Sequence, residues 1–222
     1  MILQRSTVML RLALATLSVC VVVSQVHAAQ VLVEERFENG AARWKPTDPK
    51  AWRIGRGPEG AVYSLFQQSK YAPPHRSPIN FALLDGVKVS DFDLEVSVLS
   101  TIKDYGHRDV ILVFGYQDPA HFYYTHLAKQ ADRNANQIFI VNGADRAKIS
   151  TKTSSGTPWD DAWHKLKVTR RTGDGKIAVY FDDLKSPIME ATDTTFKTGL
   201  IGIGSFDDTA DFDNLKLEVP ND

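Results

Sequence analysis

Cysteine is almost missing from this chain. Cys20 is the single one, and it falls in an N-terminal stretch expected to be cut away. A thiol nucleophile, cysteine-ligated zinc, an iron–sulfur cluster and disulfides are thereby excluded from what remains. Positive charge is not in excess either: 26 Lys and Arg stand against 27 Asp and Glu, a formal net charge of −1. Without a basic stripe, nucleic acid is excluded as a partner. Beyond residue 28 no apolar run approaches the ~20 residues that a membrane-spanning helix needs. Nor does any window keep a 3.6-residue apolar period over three turns, so helices are not expected.

The N-terminus carries a recognisable address. Arg5 and Arg11 precede an apolar run over 12–23, and Val26-His27-Ala28 offers the small residues that a signal peptidase reads. This pattern predicts a secretory signal over 1–28, too short for a stable span, and an exported domain over 29–222, periplasmic or extracellular. Leu17-Ser18-Val19-Cys20 is similar to a lipoprotein box, but Val19 is larger than the residue usually tolerated there. Roughly 190 residues can bury a sizeable core without covalent staples.

In the exported part the period is two. Polar and apolar residues alternate over 92–98, 165–169, 177–181 and 215–219, as in half-buried strands. The continuous apolar run 110–114 suits a strand covered on both faces. Turn signals fall at Glu38-Asn39-Gly40, Asp85-Gly86, Gln117-Asp118-Pro119, Asn142-Gly143 and Thr172-Gly173-Asp174-Gly175. Longer polar loops are expected over 67–80, 129–136 and 151–162. No linker divides the chain, so one antiparallel sandwich or barrel is predicted.

Three segments then carry a resemblance: YQDPAHFYYTHLA, AWHKLKVTRRTGDGKIAVYFDD and FKTGLIGIGSFDDTADFDNLKLE. In this order they are similar to the concanavalin A-like lectin/glucanase superfamily, and most to the laminin-G-like jelly rolls of exported bacterial proteins. The resemblance runs from about Val33 onward and implies an all-β jelly-roll sandwich of two packed antiparallel sheets. Because that fold hosts lectins, hydrolases, lyases and adhesion modules, it does not by itself select among them.

In GYQDPAHFYYTH, strand alternation puts His121, Tyr123 and Thr125 on one face and Phe122, Tyr124 and His126 on the other. The two histidines therefore diverge and cannot form a catalytic pair. One face packs the core, and the other is expected to line a concave sheet. The resemblance implies a binding surface on that concave sheet, for which Arg108, Tyr116, Tyr124, His126 and Asn142 are the expected hydrogen-bonding or stacking residues. Tyr71, Tyr105 and Trp159 are expected as loop aromatics for sugar stacking, with Trp163 in the core and Trp44 and Trp52 clamping the N-terminal segment.

Enzymatic patterns are incomplete. Asp91, Asp93 and Glu95 share a strand face and resemble the paired glutamates of laminarinase-type glucanases, but the first position is Asp. Strand positions i and i+4 lie roughly 13 Å apart at Cα, whereas a retaining pair brings its carboxyls to about 5–5.5 Å. A lyase would use His126, Tyr116, Gln137 and Arg108, and Gln137-Ile138-Phe139 has Phe where some jelly-roll lyases have His. The resemblance also implies a structural calcium, for which Glu38, Asn39 and Asp213 are oxygen donors; no other cofactor is required. The expectation is thus an exported, non-catalytic carbohydrate-binding or adhesion-type module with a polysaccharide partner. The alternatives are a glycan-active enzyme (glycoside hydrolase, 3-keto-disaccharide hydrolase-like, or polysaccharide lyase) and a structural protein-interaction domain.

Overall fold

The computed structural model describes residues 29–220. The expected signal segment, 1–28, lies outside the described residues. In chain order the strands are β1 (Gln30–Glu35), β2 (Trp44–Pro46), β3 (Trp52–Arg56), β4 (Ala61–Leu65), β5 (Asn80–Val89) and β6 (Phe92–Ser100). They continue with β7 (Asp109–Asp118), β8 (His121–Ala128), β9 (Gln137–Asn142), β10 (Ala147–Lys148) and β11 (Ser150–Thr153). The last are β12 (His164–Arg170), β13 (Lys176–Phe181), β14 (Met189–Thr192), β15 (Gly199–Ser205) and β16 (Ala210–Val219).

Two antiparallel sheets form, and the architecture is the expected jelly-roll sandwich. The nine-stranded sheet runs β11-β14-β13-β12-β6-β16-β4-β3, with β1 also on β16; the seven-stranded sheet runs β10-β9-β8-β7-β15-β5-β2. The predicted alternation is visible in β6, where every second residue from Phe92 to Ser100 is buried. Between the sheets lies the core, with Leu94, Val96, Leu112, Phe114, Tyr123, Leu166 and Phe212 among its buried members. Trp44 and Trp52 belong to it as well, joined through Tyr63.

Several local expectations change. Asp85-Gly86 is no turn but lies inside β5, where Gly86 takes φ +74. The start of the loop expected over 151–162 is paired as β11 against β14. Trp159 is buried rather than exposed, packing on Phe181 and donating its indole N–H to the Leu127 carbonyl at 2.8 Å. Trp163, expected in the core, is only half-buried.

One end of the sandwich is joined by a buried polar knot. Asp208 accepts the Tyr105 hydroxyl at 2.8 Å and the Asp109 N–H at 3.0 Å, while its carbonyl accepts the Asn80 amide at 2.9 Å. Ser205 donates its hydroxyl to Asp109 at 2.9 Å and accepts the Asp208 N–H at 2.8 Å. The ends of β5, β7 and β15 are thus held by side chains where ladder bonding stops. Burial and the neighbouring Asp109 charge push the Asp208 carboxyl up from 3.8 to about 7.

Two predictions follow from this packing. Phe212 is fully buried and stacks on Trp52 at 5.8 Å. Phe212→Ala is expected to remove about 3–5 kcal/mol of unfolding free energy in urea titration; a loss below ~1 kcal/mol would contradict the placement. For Asp208, a native pKa above the unfolded one means that the folded chain holds the proton more tightly. Its contribution therefore declines as pH rises through the window from 3.8 to about 7. On the order of 2 kcal/mol should disappear between pH 5 and 8. Thermal melts of Asp208→Asn, which keeps a neutral group, should show a distinctly smaller fall over that range than the parent, and equal falls would reject the assignment.

Candidate functional site

The site begins with the strand periodicity of β7, β8 and β9. Val110, Leu112, Phe114, Tyr123, Leu127, Ile138 and Ile140 face the inter-sheet core. Their alternates Ile111, Val113, Phe122, Tyr124, Phe139 and Val141 form a second buried cluster with Phe81, on the outer face of the seven-stranded sheet. Tyr116 joins this second face although its even number places it with the core set. The cause is a register shift after Phe114, where Gly115 adopts φ +59. A Cβ at Gly115 would meet the Tyr123 ring at 3.0 Å, so the bulge depends on glycine.

An aromatic band crosses this face. Tyr116 meets Phe122 at 5.5 Å, Tyr124 stacks on Phe139 at 5.2 Å, and His126 lies parallel to Phe206 at 5.3 Å. Over the Tyr116 end, Tyr71 of the β4–β5 loop packs edge-on against Phe81. At the His126 end the covering is incomplete, and a cavity of about 240 Å³ remains. Its floor is His126 and Asp109, and its walls are Arg76, Arg146, Phe206 and Asp207, with Tyr105, His107 and Asn134 at the margin.

The floor is highly ordered. Arg146 lies over Phe139 at 4.7 Å and Phe206 at 4.2 Å, a cation held between two rings. It donates from Nη1 to the Tyr124 hydroxyl at 2.8 Å and stands 3.3 Å from His126 Nδ1. A guanidinium is only a donor, so Nδ1 accepts and the proton of the neutral ring sits on Nε2. That Nε2 is 3.4 Å from Asp109 Oδ2 but forms no hydrogen bond. Across the ladder from His126, buried Gln137 also has an unpaired Oε1, while its amide donates to the Asp132 carbonyl at 2.9 Å. Two orphaned polar atoms on paired residues are unusual in a folded interior. Asp109 Oδ1 is occupied, accepting the Ser205 hydroxyl at 2.9 Å and the Phe206 N–H at 2.8 Å. Desolvation and then Asp109 push the Asp207 carboxyl above its ordinary value.

Of the five expected ligand residues, Tyr124 and His126 meet here, but both are buried beneath Arg146 rather than open on a bare concave sheet. Tyr116 lies at the opposite end of the band. Arg108 is elsewhere: its buried guanidinium donates to the Ser100 carbonyl, the Asp160 carbonyl and Asp161, which fixes loops. Asn142 is exposed at the β9 end, paired with His121. His121 binds Asp118 at 2.8 Å, closing the β7–β8 turn.

Asp91, Asp93 and Glu95 are not part of this cavity. Asp93 pairs with Arg171 at 2.7 Å, Glu95 with Lys167 at 3.1 Å, and Asp91 accepts the Thr172 N–H at 2.8 Å. They form cross-strand ion pairs and a turn on the outside of the larger sheet. A wider cavity of about 660 Å³ lies beside Asp91, but no aromatic ring lines it. For calcium, Glu38 spends Oε1 on the Ala61 N–H at 2.8 Å, and Asp213 binds its neighbour Asn214. Among the described residues no three His, Cys, Asp or Glu side chains converge as metal ligands. Burial raises the Asp213 carboxyl, and Glu59 and Glu38 lie near enough to raise it further, so these acids share one region of the surface.

Arg76, Arg146, Phe206 and Asp207 were not singled out by sequence reasoning. The signals for Arg146, Phe206 and Asp207 are a DR pair separated by one residue from the Asn142-Gly143 dipeptide and the FDD stretch after β15, which look like ordinary polar turns.

No protein-family model matches the chain, and no curated protein matches it in sequence. Solved structures do match in three dimensions. One is the carbohydrate binding module CBM66 from Bacillus subtilis, 19% identical over 79% of this chain and 95% of that one, with TM-score 0.56. Another is domain 4 of AbnA, a GH43 extracellular arabinanase from Geobacillus stearothermophilus, in complex with arabinotriose. It is 13% identical, covers 86% and 93%, and has TM-score 0.51. Winged bean acidic lectin complexed with methyl-α-D-galactose is 8% identical, covers 87% and 99%, and has TM-score 0.51. At such identities the likeness establishes the fold, a two-sheet jelly roll.

Proposed function

We propose that this chain is an exported glycan-binding module of laminin-G-like type, holding a sugar at the cavity over His126. The observation that carries the reading is the meeting of aromatic surface with convergent polar groups. Phe206 and Tyr105 bring aromatic rings to the lining, and Arg76, Arg146, His107 and Asn134 bring hydrogen-bonding groups, around a space of about 240 Å³. Sugars use this combination, since their C–H faces stack on rings while hydroxyls need directed partners. The folds of a carbohydrate binding module, an arabinotriose-bound domain and a galactoside-bound lectin support it. Export follows from the N-terminal pattern of Arg5, Arg11 and Val26-His27-Ala28.

One observation favours a glycan-active enzyme as a second reading: Asp207 lines the cavity with a raised pKa, as a general acid would. The other acid lining this cavity is a poor second catalytic group, because Asp109 is buried and its Oδ1 is saturated by hydrogen bonds.

A glycan screen of the purified protein should reveal saturable binding that leaves the polymer intact. Asn134→Ala and His107→Ala, both at the cavity margin, should each weaken the best ligand at least about fivefold, on the scale of one lost hydrogen bond. New reducing ends or unsaturated products, lost in Asp207→Asn, would replace this reading with the enzymatic one. Binding that ignores both margin variants would move the site elsewhere.

A further inference from the structure

We infer that the cavity over His126 selects an acidic sugar, with Arg76 and Arg146 forming a two-arginine receptor for a uronate carboxylate. This deepens the proposed glycan-binding function and rests on it.

The two arginines come from segments far apart in sequence but are built as a unit. The Arg146 N–H donates to the Arg76 carbonyl at 3.1 Å, and the Arg76 N–H donates to the Asp145 carboxylate at 2.9 Å. Both side chains line the cavity. Arg146 is oriented by Phe139, Phe206 and the Tyr124 hydroxyl, all contacts that leave its charge uncompensated. Among the described residues, neither guanidinium stands within ion-pair distance of a carboxylate. Arg108 and Arg171, by contrast, do have such partners.

Acids are present in the same cavity, yet they are poor partners for these cations. Asp109 Oδ1 is occupied by Ser205 and the Phe206 N–H, and its Oδ2 faces His126. Asp207 forms no ion pair with either guanidinium among the described residues; desolvation and Asp109 raise its pKa, against the smaller lowering by His126 and Arg146. His107 is engaged at 3.6 Å with Asp132. A rigid guanidinium held against aromatic rings, with a second arginine lining the same cavity, offers the forked donors that a carboxylate accepts. A neutral sugar would leave two cations partly desolvated without an anion. The space, about 240 Å³, suits one sugar ring rather than a long extended chain.

The test is calorimetric titration of the purified protein with galacturonate, mannuronate and guluronate oligomers, each beside its carboxyl-reduced, neutral counterpart. At least one acidic oligomer is expected to bind tenfold or more tighter than its reduced form. Arg76→Gln, an exposed change that should not disturb folding, is expected to remove most of that preference. Arg146→Gln should do the same, with near-ultraviolet circular dichroism checking its aromatic setting. Equal binding of acidic and reduced forms, or a preference that survives both substitutions, overturns the inference and leaves the glycan function standing. Binding confined to neutral glucans, fructans or arabinans does so too. Silence toward every acidic and neutral glycan overturns both.

Discussion

Both faces of the seven-stranded sheet are apolar, and one of them has no partner sheet. Phe81, Phe122, Tyr124 and Phe139 would otherwise stand in water on its outer side, and each buried large side chain is worth roughly 1.5–3 kcal/mol. The chain satisfies this demand with loops and single residues instead of a third layer. Tyr71 comes from the β4–β5 loop, Phe206 from beyond β15, and Arg146 from the β9–β10 turn. Where such pieces meet imperfectly a hollow remains, and the candidate site is that hollow.

The same constraint explains the chemistry found there. An arginine can cover aromatic rings with its planar cation while keeping hydrogen-bonding edges available. Arg146 does this between Phe139 and Phe206 and also orients Tyr124 and His126. Beneath it, Asp109 and Asp208 hold the strand ends together through Ser205, Tyr105 and main-chain N–H groups. Structural acids thus lie next to the candidate cavity, one of them carrying a strongly raised pKa. That feature alone would suggest catalysis, but the hydrogen bonds assign Asp208 to structure.

The outer face of the larger sheet shows what the alternative looks like. There Asp93 and Glu95 meet Lys167 and Arg171 across β6 and β12. These charges solvate a sheet surface and set cross-strand pairing. The pattern that resembles a glucanase strand is, in its surroundings, a row of matched ion pairs.

The sequence alone determined several of the strands and an all-β fold, and its resemblance to known jelly rolls chose the sandwich over a barrel. Alternation is local: β6, β12, β13 and the closing half of β16 could be read from their own residues, because a strand with one wet face must repeat every two positions. It also placed Tyr124 and His126 on a common face, and that held. What it could not supply was the covering of that face, since Arg76, Arg146 and Phe206 are loop residues whose spacing carries no period. Arg108 shows the converse: its charge suggested a ligand contact, but the bulk of the fold turned it inward onto carbonyls. Tertiary structure decided the site, because a cavity is made by segments that meet only after the sheets have closed.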